Sequence, residues 1–216
     1  MFIVSIKRKG NNAEIINDEG RKFTLDLRIV YDNGLRKNDE IDQESFDKLI
    51  QQNNFLKTKD AAFRLLARRL HSFQELKTKL LHKKYEIAII EEVLFDLKSK
   101  NLLDDKKFAD EFFNEKFSKK KIGKNRIRIA LINKGVPRPI IDEVISSADD
   151  NTNLENAHSL AVKKINLLKD KVLDKRKIRS KIYSYLNMRG FESDVIMKTL
   201  NNLDLEIENE NEIWRE

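Results

Sequence analysis

KLLHKKYEIAIIEEVL (79–94), ALINKGVPRPIIDEVI (130–145) and YLNMRGFESDVIMKTL (185–200) align without gaps, so the same helix–turn–helix is written three times in this chain. Leu80, Leu131 and Leu186 correspond, as do Ile90, Ile141 and Ile196, at offsets of 51 and then 55 residues. The later helix of each copy carries apolar residues at i, i+1, i+4, i+5 and i+8. These are Ile89, Ile90, Val93, Leu94 and Leu97; Ile140, Ile141, Val144, Ile145 and Ala148; and Val195, Ile196, Thr199, Leu200 and Leu203. This spacing makes a stripe about 100° wide that has to be buried against partner helices. Between the two helices stand Gly135-Val136 and Gly190-Phe191. A glycine in the left-handed region ends one helix, and the apolar residue after it folds back onto that helix. The first copy has Lys84-Tyr85 there, which requires either a costlier left-handed lysine or a different stop. Pro137 and Ser193 suit the start of the next helix.

Working outward, each copy takes one further helix upstream: Ala61–Leu70, Phe108–Phe117 and Asn156–Leu168. Asp104 or Asp105 is expected to cap the second of these. Three three-helix repeats follow, at 58–103, 104–150 and 151–205, expected to stack as an elongated array. The four extra residues of the last copy fall in KDKVLDKRK (169–177). EIENENEIWRE (206–216) is left over as an acidic tail, with Trp214 as its candidate anchor. Residues 1–57 read differently. FIVSIKR (2–8), AEII (13–16) and KFTLDL (22–27) alternate like strands and are separated by Gly10-Asn11-Asn12 and Asn17-Asp18-Glu19-Gly20. They predict an antiparallel sheet too small to stand alone. LRIVYDNG (27–34) suits one helical turn, and Asp42 caps a lead helix over Glu44–Gln52. The fold class is mainly α with a small N-terminal β element.

Composition narrows the function. The 216 residues carry a net charge of +7, with 37% charged residues, 6 glycines, 2 prolines and no cysteine. Disulfides and thiolate metal sites are excluded. MFIVSIKRKG reads as a strand and not as a signal peptide, and no apolar run is long enough to span a membrane, so the cytosol is the expected location. The charge is periodic. Residues 57–84, 105–139 and 163–181 each sum to +7, while 85–104, 140–162 and 192–216 sum to −3, −5 and −6. Basic first and second helices followed by an acidic third suggest a polyanionic partner. The residues expected to contact it are Arg68, Arg69, Lys77, Lys119, Lys120, Lys121, Lys124, Arg126, Arg128 and Lys134. Arg126 stands apart because its planar fork can hold a carboxylate or phosphate bidentately. Arg69 either does the same in the first repeat or pairs internally with Glu75.

Catalysis is not expected. His71, His82 and His158 are scattered and read as surface histidines, with Ser72 interrupting any helix that would join the first two. Asp104-Asp105 and Asp149-Asp150 could hold Mg²⁺, but each sits where a helix start favours aspartate. Ile122-Gly123-Lys124 lacks the glycines and the hydroxyl of a phosphate loop. Phe112, Phe113 and Phe117 are read as core and not as base-stacking platforms. No cofactor and no small-molecule substrate is indicated.

Together these residues resemble the RecX family of bacterial recombinase regulators. Arg69, Ser72, Glu75 and Leu76 match its Arg-x-x-Ser-x-x-Glu-Leu element within LLARRLHSFQEL (65–76). Leu103, Asp104, Asp105, Phe108 and Ala109 match a Leu-Asp-Asp-x-x-Phe-Ala element within NLLDDKKFADEF (101–112). Gly123, Arg126, Ile127, Leu131, Lys134 and Gly135 match a third element within IGKNRIRIALINKGV (122–136), and YLNMRGF (185–191) closes the pattern. Lys84 in place of the usual glycine and the acidic tail are departures. The resemblance implies three tandem three-helix repeats in a curved, elongated array that bind RecA filaments on single-stranded DNA, lodge in their groove and suppress ATP hydrolysis, strand exchange and co-protease activity. It is consistent with weaker direct contact to single- or double-stranded DNA. The alternatives from other classes are a direct nucleic-acid-binding protein with no RecA partner and a metal-dependent enzyme built on Asp104 and Asp105.

Overall fold

The computed structural model of the chain describes residues 1–168 and 175–213, with side chains in the last helix as far as Leu203. It divides into two units, Met1–Leu103 and Asp104–Glu216. Helices predominate among the described residues, and the one sheet among them has three antiparallel strands.

In the first unit, β1 (Ile3–Lys9), β2 (Asn12–Asn17) and β3 (Lys22–Asp26) pair in chain order, with Ile6 opposite Ile15 and Ile15 opposite Phe23. The alternation predicted from the sequence puts Ala13, Ile15 and Leu25 on the inner face. The sheet does not stand alone. Its core includes Ile29 and Val30 of α1 (Leu27–Asp32) and Leu49 of α2 (Gln43–Leu66), with Phe46, Ile50 and Leu56 packed around them.

Here the structure corrects the sequence. The short lead helix and the first helix of repeat 1 are one continuous helix, α2 (Gln43–Leu66), capped by Asp42, whose carboxylate accepts from the Ser45 amide at 2.7 Å. The polar run Gln51-Gln52-Asn53-Asn54 hides this continuity, because it interrupts the apolar pattern. Asn53 is nevertheless buried. Its side-chain oxygen accepts from the Asp26 amide at 2.8 Å, tying α2 to the end of β3. No glycine or proline breaks the run, so hydrogen bonding continues down to the first three-helix core.

That core joins the C-terminal part of α2 to α3 (Phe73–His82) and α4 (Ile87–Ser99). Ala61, Ala62, Leu76, Leu80 and the whole α4 stripe, Ile89, Ile90, Val93, Leu94 and Leu97, are buried together. The second unit repeats the arrangement twice. Its first copy is α5 (Asp105–Asn114), α6 (Lys124–Asn133) and α7 (Arg138–Ser146), and its second is α8 (Asp150–Asn166), α9 (Lys175–Arg189) and α10 (Ser193–Ile213). The helix expected over Phe108–Phe117 ends sooner, and a π-helical turn at Glu115–Lys119 follows α5. That turn still buries Phe117, whose ring stacks on Phe113 at 4.8 Å. The backbone of α10 continues through the acidic segment to Ile213. Trp214 and the extra residues at 169–174 lie outside the described residues.

The turn between the second and third helices is built identically in all three copies. The amides of Tyr85, Val136 and Phe191 donate to the carbonyls of Leu80, Leu131 and Leu186. The amides of Lys84, Gly135 and Gly190 donate to Leu81, Ile132 and Asn187. This pair of bonds is the Schellman closure, which demands a left-handed residue between the helices. Gly135 and Gly190 supply it at φ 70° and 88°, and Lys84 adopts it at φ 63° despite its side chain. Leu80, Leu131 and Leu186 are all fully buried. Leu131→Ala is therefore expected to cost about 2–4 kcal/mol through lost burial plus the residual cavity, read in a urea titration. A loss below about 1 kcal/mol would contradict the equivalence of these positions.

Candidate functional site

The residues that carry the sequence elements turn out to be mostly architectural. Ser72 caps α3, its hydroxyl accepting from the Glu75 amide at 3.0 Å, which explains the serine of that element as an N-cap. Leu76 beyond it is buried. Asp104 caps α5, accepting from the Lys106 and Lys107 amides, and Leu103, Phe108 and Ala109 are core. Asp149 caps α8 in the same way. The first aspartate of each pair is a helix cap and the second lies in the first turn, and no cluster of three metal-ligating side chains occurs among the described residues.

The candidate basic residues fall into three groups. Arg68 and Lys119 are exposed and make no ion pair among the described residues. A second group is exposed or half-buried but engaged within its own repeat. Arg69 holds Glu75 bidentately, at 2.7 and 3.0 Å, so the internal pair is formed here. Glu75 also raises the Arg69 pKa from its ordinary value. Lys77 meets Glu91 at 2.7 Å, Lys120 meets Glu115 at 2.6 Å and Arg128 meets Asp142. Lys134 lies over the rings of Phe108 and Phe112, at 5.7 and 5.5 Å.

The third group belongs to the joint between the two copies of the second unit. Lys121 adopts φ 50° and donates to the Ser159 hydroxyl on α8 at 2.7 Å. Arg126 is exposed, yet its guanidinium donates to the Met188 carbonyl at 2.8 Å. Lys124 corrects the sequence reading. It is only 9% exposed, and its ammonium is 2.7 Å from the Asp150 carboxylate at the start of α8, so it is not part of a free basic surface. The reason is its position at the first turn of α6, facing the α7–α8 connection.

The joint is a docking of helix ends that the sequence does not reveal. The last carbonyls of α9 and the first amides of α6 have no partners within their own helices. Here they satisfy one another: the Gly123 amide donates to the Arg189 carbonyl at 3.0 Å and the Asn125 amide to the Gly190 carbonyl at 3.1 Å. The opposed helix-end partial charges attract as well. Arg189 reaches back to the Lys120 carbonyl at 2.6 Å, and Asn156 donates to the Phe117 carbonyl at 3.0 Å. The backbones approach so closely that a Cβ on Gly123 would stand 2.2 Å from the Gly190 carbonyl carbon.

His71 is a second correction, since it is buried and not a surface histidine. Its Nδ1 lies 2.9 Å from the Arg69 carbonyl, so Nδ1 carries the proton and donates, and Nε2 accepts from the Lys79 ammonium at 2.9 Å. Burial pushes its pKa down, and the charges of Arg69 and Lys79 add to that effect. The unfolded chain takes up this proton near pH 6.5, whereas the folded chain resists it until lower pH. Stability from this group is thus fully present above about pH 6.5 and is lost as the pH falls below it. Melting temperature is expected to drop between pH 7 and pH 5, and His71→Gln should flatten that drop. An unchanged slope in the variant would contradict the assignment. The carboxylates held below their ordinary values, such as Asp96 beside Lys100 and Lys59, titrate in a lower window.

Three family models match in order along the chain: the RecX first three-helix domain at residues 59–97, the second at 104–145 and the third at 151–200. The chain belongs to the RecX family. Regulatory protein RecX of Clostridioides difficile (strain 630) is 35% identical over 91% of this chain and 92% of its own length. Regulatory protein RecX of Clostridium perfringens (strain 13) is 32% identical over 87% and 88%. A crystal structure of regulatory protein RecX superposes with a TM-score of 0.74 over 93% of this chain and 98% of that one, at 20% identity, which supports the shared fold. In RecX terms the three-helix domains are the repeats built on α2–α4, α5–α7 and α8–α10, and these relatives are named as regulators. No helix among the described residues is long and apolar enough to cross a membrane.

Proposed function

We propose that this RecX-family chain binds RecA filaments on single-stranded DNA and inhibits them, restraining ATP hydrolysis, strand exchange and co-protease activity during recombination, DNA repair and the SOS response in the cytoplasm. The observation that carries the reading is the run of three family domains, in order, from residue 59 to 200. The division into an N-terminal element at 1–57, repeats at 58–103, 104–150 and 151–205, and an acidic end at 206–216 is part of the same proposal. A filament presents phosphates and acidic protein surface together, and exposed Arg68, Lys119, Lys120 and Arg126 supply a sequence-independent attraction to both. The internal pairs of Arg69, Lys77 and Arg128 are surface pairs of small individual worth, so those residues keep much of their long-range field. Lys121 and Lys134 contribute less, being committed to Ser159 and to the Phe108 and Phe112 rings. Direct contact with DNA is a weaker, salt-sensitive part of the same binding.

The test is a titration of the labelled protein against RecA filaments preformed on single-stranded DNA, beside the same DNA without RecA. At physiological salt, filaments are expected to bind at least tenfold more tightly. Equal affinity for the two would turn the reading toward a plain nucleic-acid-binding protein.

A further inference from the structure

The outward face of α6 carries Arg126, Ile129, Ile132 and Asn133, neighbours at helical spacing. Ile129 is 58% exposed and Ile132 46%. The same positions in the other copies are Thr78 and Leu81 on α3 and Ser184 and Asn187 on α9, and all four are exposed too. The repeat therefore fixes the exposure and leaves the residue type free. Two β-branched isoleucines there add nothing to the core, are poorer helix formers than the straight-chain residues, and invite association. The second copy alone in this chain places two apolar residues at these positions.

The surroundings say what would cover them. The end of α9 lies against the first turn of α6, where the Met188 carbonyl accepts from Arg126, and Met188 is itself 70% exposed. Arg189 follows it. The sequence of α6, KNRIRIALIN, contains no carboxylate. The exposed Arg126 guanidinium, one turn before Ile129, borders this apolar strip, which complements apolar side chains flanked by carboxylates. It suits nucleic acid poorly, since isoleucine has no π face for a base to stack on.

We infer that the outward face of α6 docks a partner protein through an apolar segment flanked by acidic residues. Resting on the function proposed above, that segment belongs to the protein of the filament and not to its DNA. Lys119 then steers the approach, and Ile129 and Ile132 hold the complex once formed.

The experiment compares the full chain with Ile129→Ser/Ile132→Ser and, as a single milder change, Ile129→Gln. Both sites are solvent-exposed, so melting temperature and helical circular dichroism are expected to match the unaltered protein. Affinity for RecA filaments should fall more than tenfold in the double variant and measurably in the single one. Affinity for naked single-stranded DNA should stay the same. Unchanged filament binding by folded variants overturns the inference, and so does a parallel loss on naked DNA, which would make this a nucleic-acid face. Sedimentation showing a dimer of the unaltered chain that the double variant abolishes also overturns it, because the occupant would be a second copy. If the unaltered protein ignores the filament, it is the functional proposal that fails, an outcome distinct from variants that bind as well as it does.

Discussion

Gly190→Ala is expected to destabilise the second unit by about 2–5 kcal/mol. Left-handed backbone costs an alanine about 1–2 kcal/mol, and Gly190 sits at φ 88°. Forced contact in a packed joint adds about 1–3 kcal/mol. That contact is severe here, because an added Cβ would stand 2.3 Å from the Cβ of Arg126 and 2.5 Å from its amide nitrogen. Two comparisons separate the contributions. Gly10 has φ +63° with nothing within 4 Å of an added Cβ, so Gly10→Ala should show the backbone penalty alone. Gly123 has an ordinary φ of −67° but meets the Gly190 backbone at 2.2 Å, so Gly123→Ala should show the steric penalty alone. Urea titrations followed by helical circular dichroism read all three. A Gly190 variant no less stable than the Gly10 variant would mean that the α6 and α9 ends do not dock as described.

The largest functional effect is expected from Lys119→Glu and Lys120→Glu combined with Arg126→Gln. The three changes lower the net charge of the second unit's basic stretch, residues 105–139, by five units. Steered association falls steeply with such a loss and is itself screened by salt. Filament affinity should drop about 10- to 100-fold at low salt, with the difference narrowing as salt is added. Arg126→Gln alone should weaken binding more than Lys119→Gln alone, since only the guanidinium can hold a carboxylate or phosphate through two parallel bonds. Lys124 is left unaltered on purpose: a glutamate there would place a largely buried carboxylate beside Asp150 and destabilise the repeat without testing the surface. If the folded triple variant binds filaments as tightly as the unaltered protein across the salt range, electrostatic steering by this face is wrong.

These residues also mark where the sequence is readable and where it is not. The Schellman turns are legible because a glycine and an apolar residue at fixed offsets have few other uses, and Lys84 is placed in register by its neighbours. The helix stripes are legible for the same reason, periodicity being a local property of the chain. The continuity of α2 is not, because Asn53 is held by a contact to Asp26, which is distant in sequence. Residue type misleads at Lys124 and His71. A lysine is usually solvated and a lone histidine usually sits at the surface, but here Asp150 and the Arg69 carbonyl satisfy them in buried positions. The joint of α6 with α9 leaves only two glycines, Gly123 and Gly190, as its trace. Each has a simpler local explanation. The outward face of α6 is hidden differently: Ile129 and Ile132 look like core in a sequence, and only the packed repeat reveals that they are not.

Inhibition of the RecA filament is tested most directly by RecA ATPase activity on single-stranded DNA. The protein is added at ratios well below one per RecA monomer, with a fixed excess of ATP. Turnover is expected to fall by more than half at such ratios while naked-DNA binding stays weak. ATPase activity that is unchanged up to equimolar protein would contradict the account.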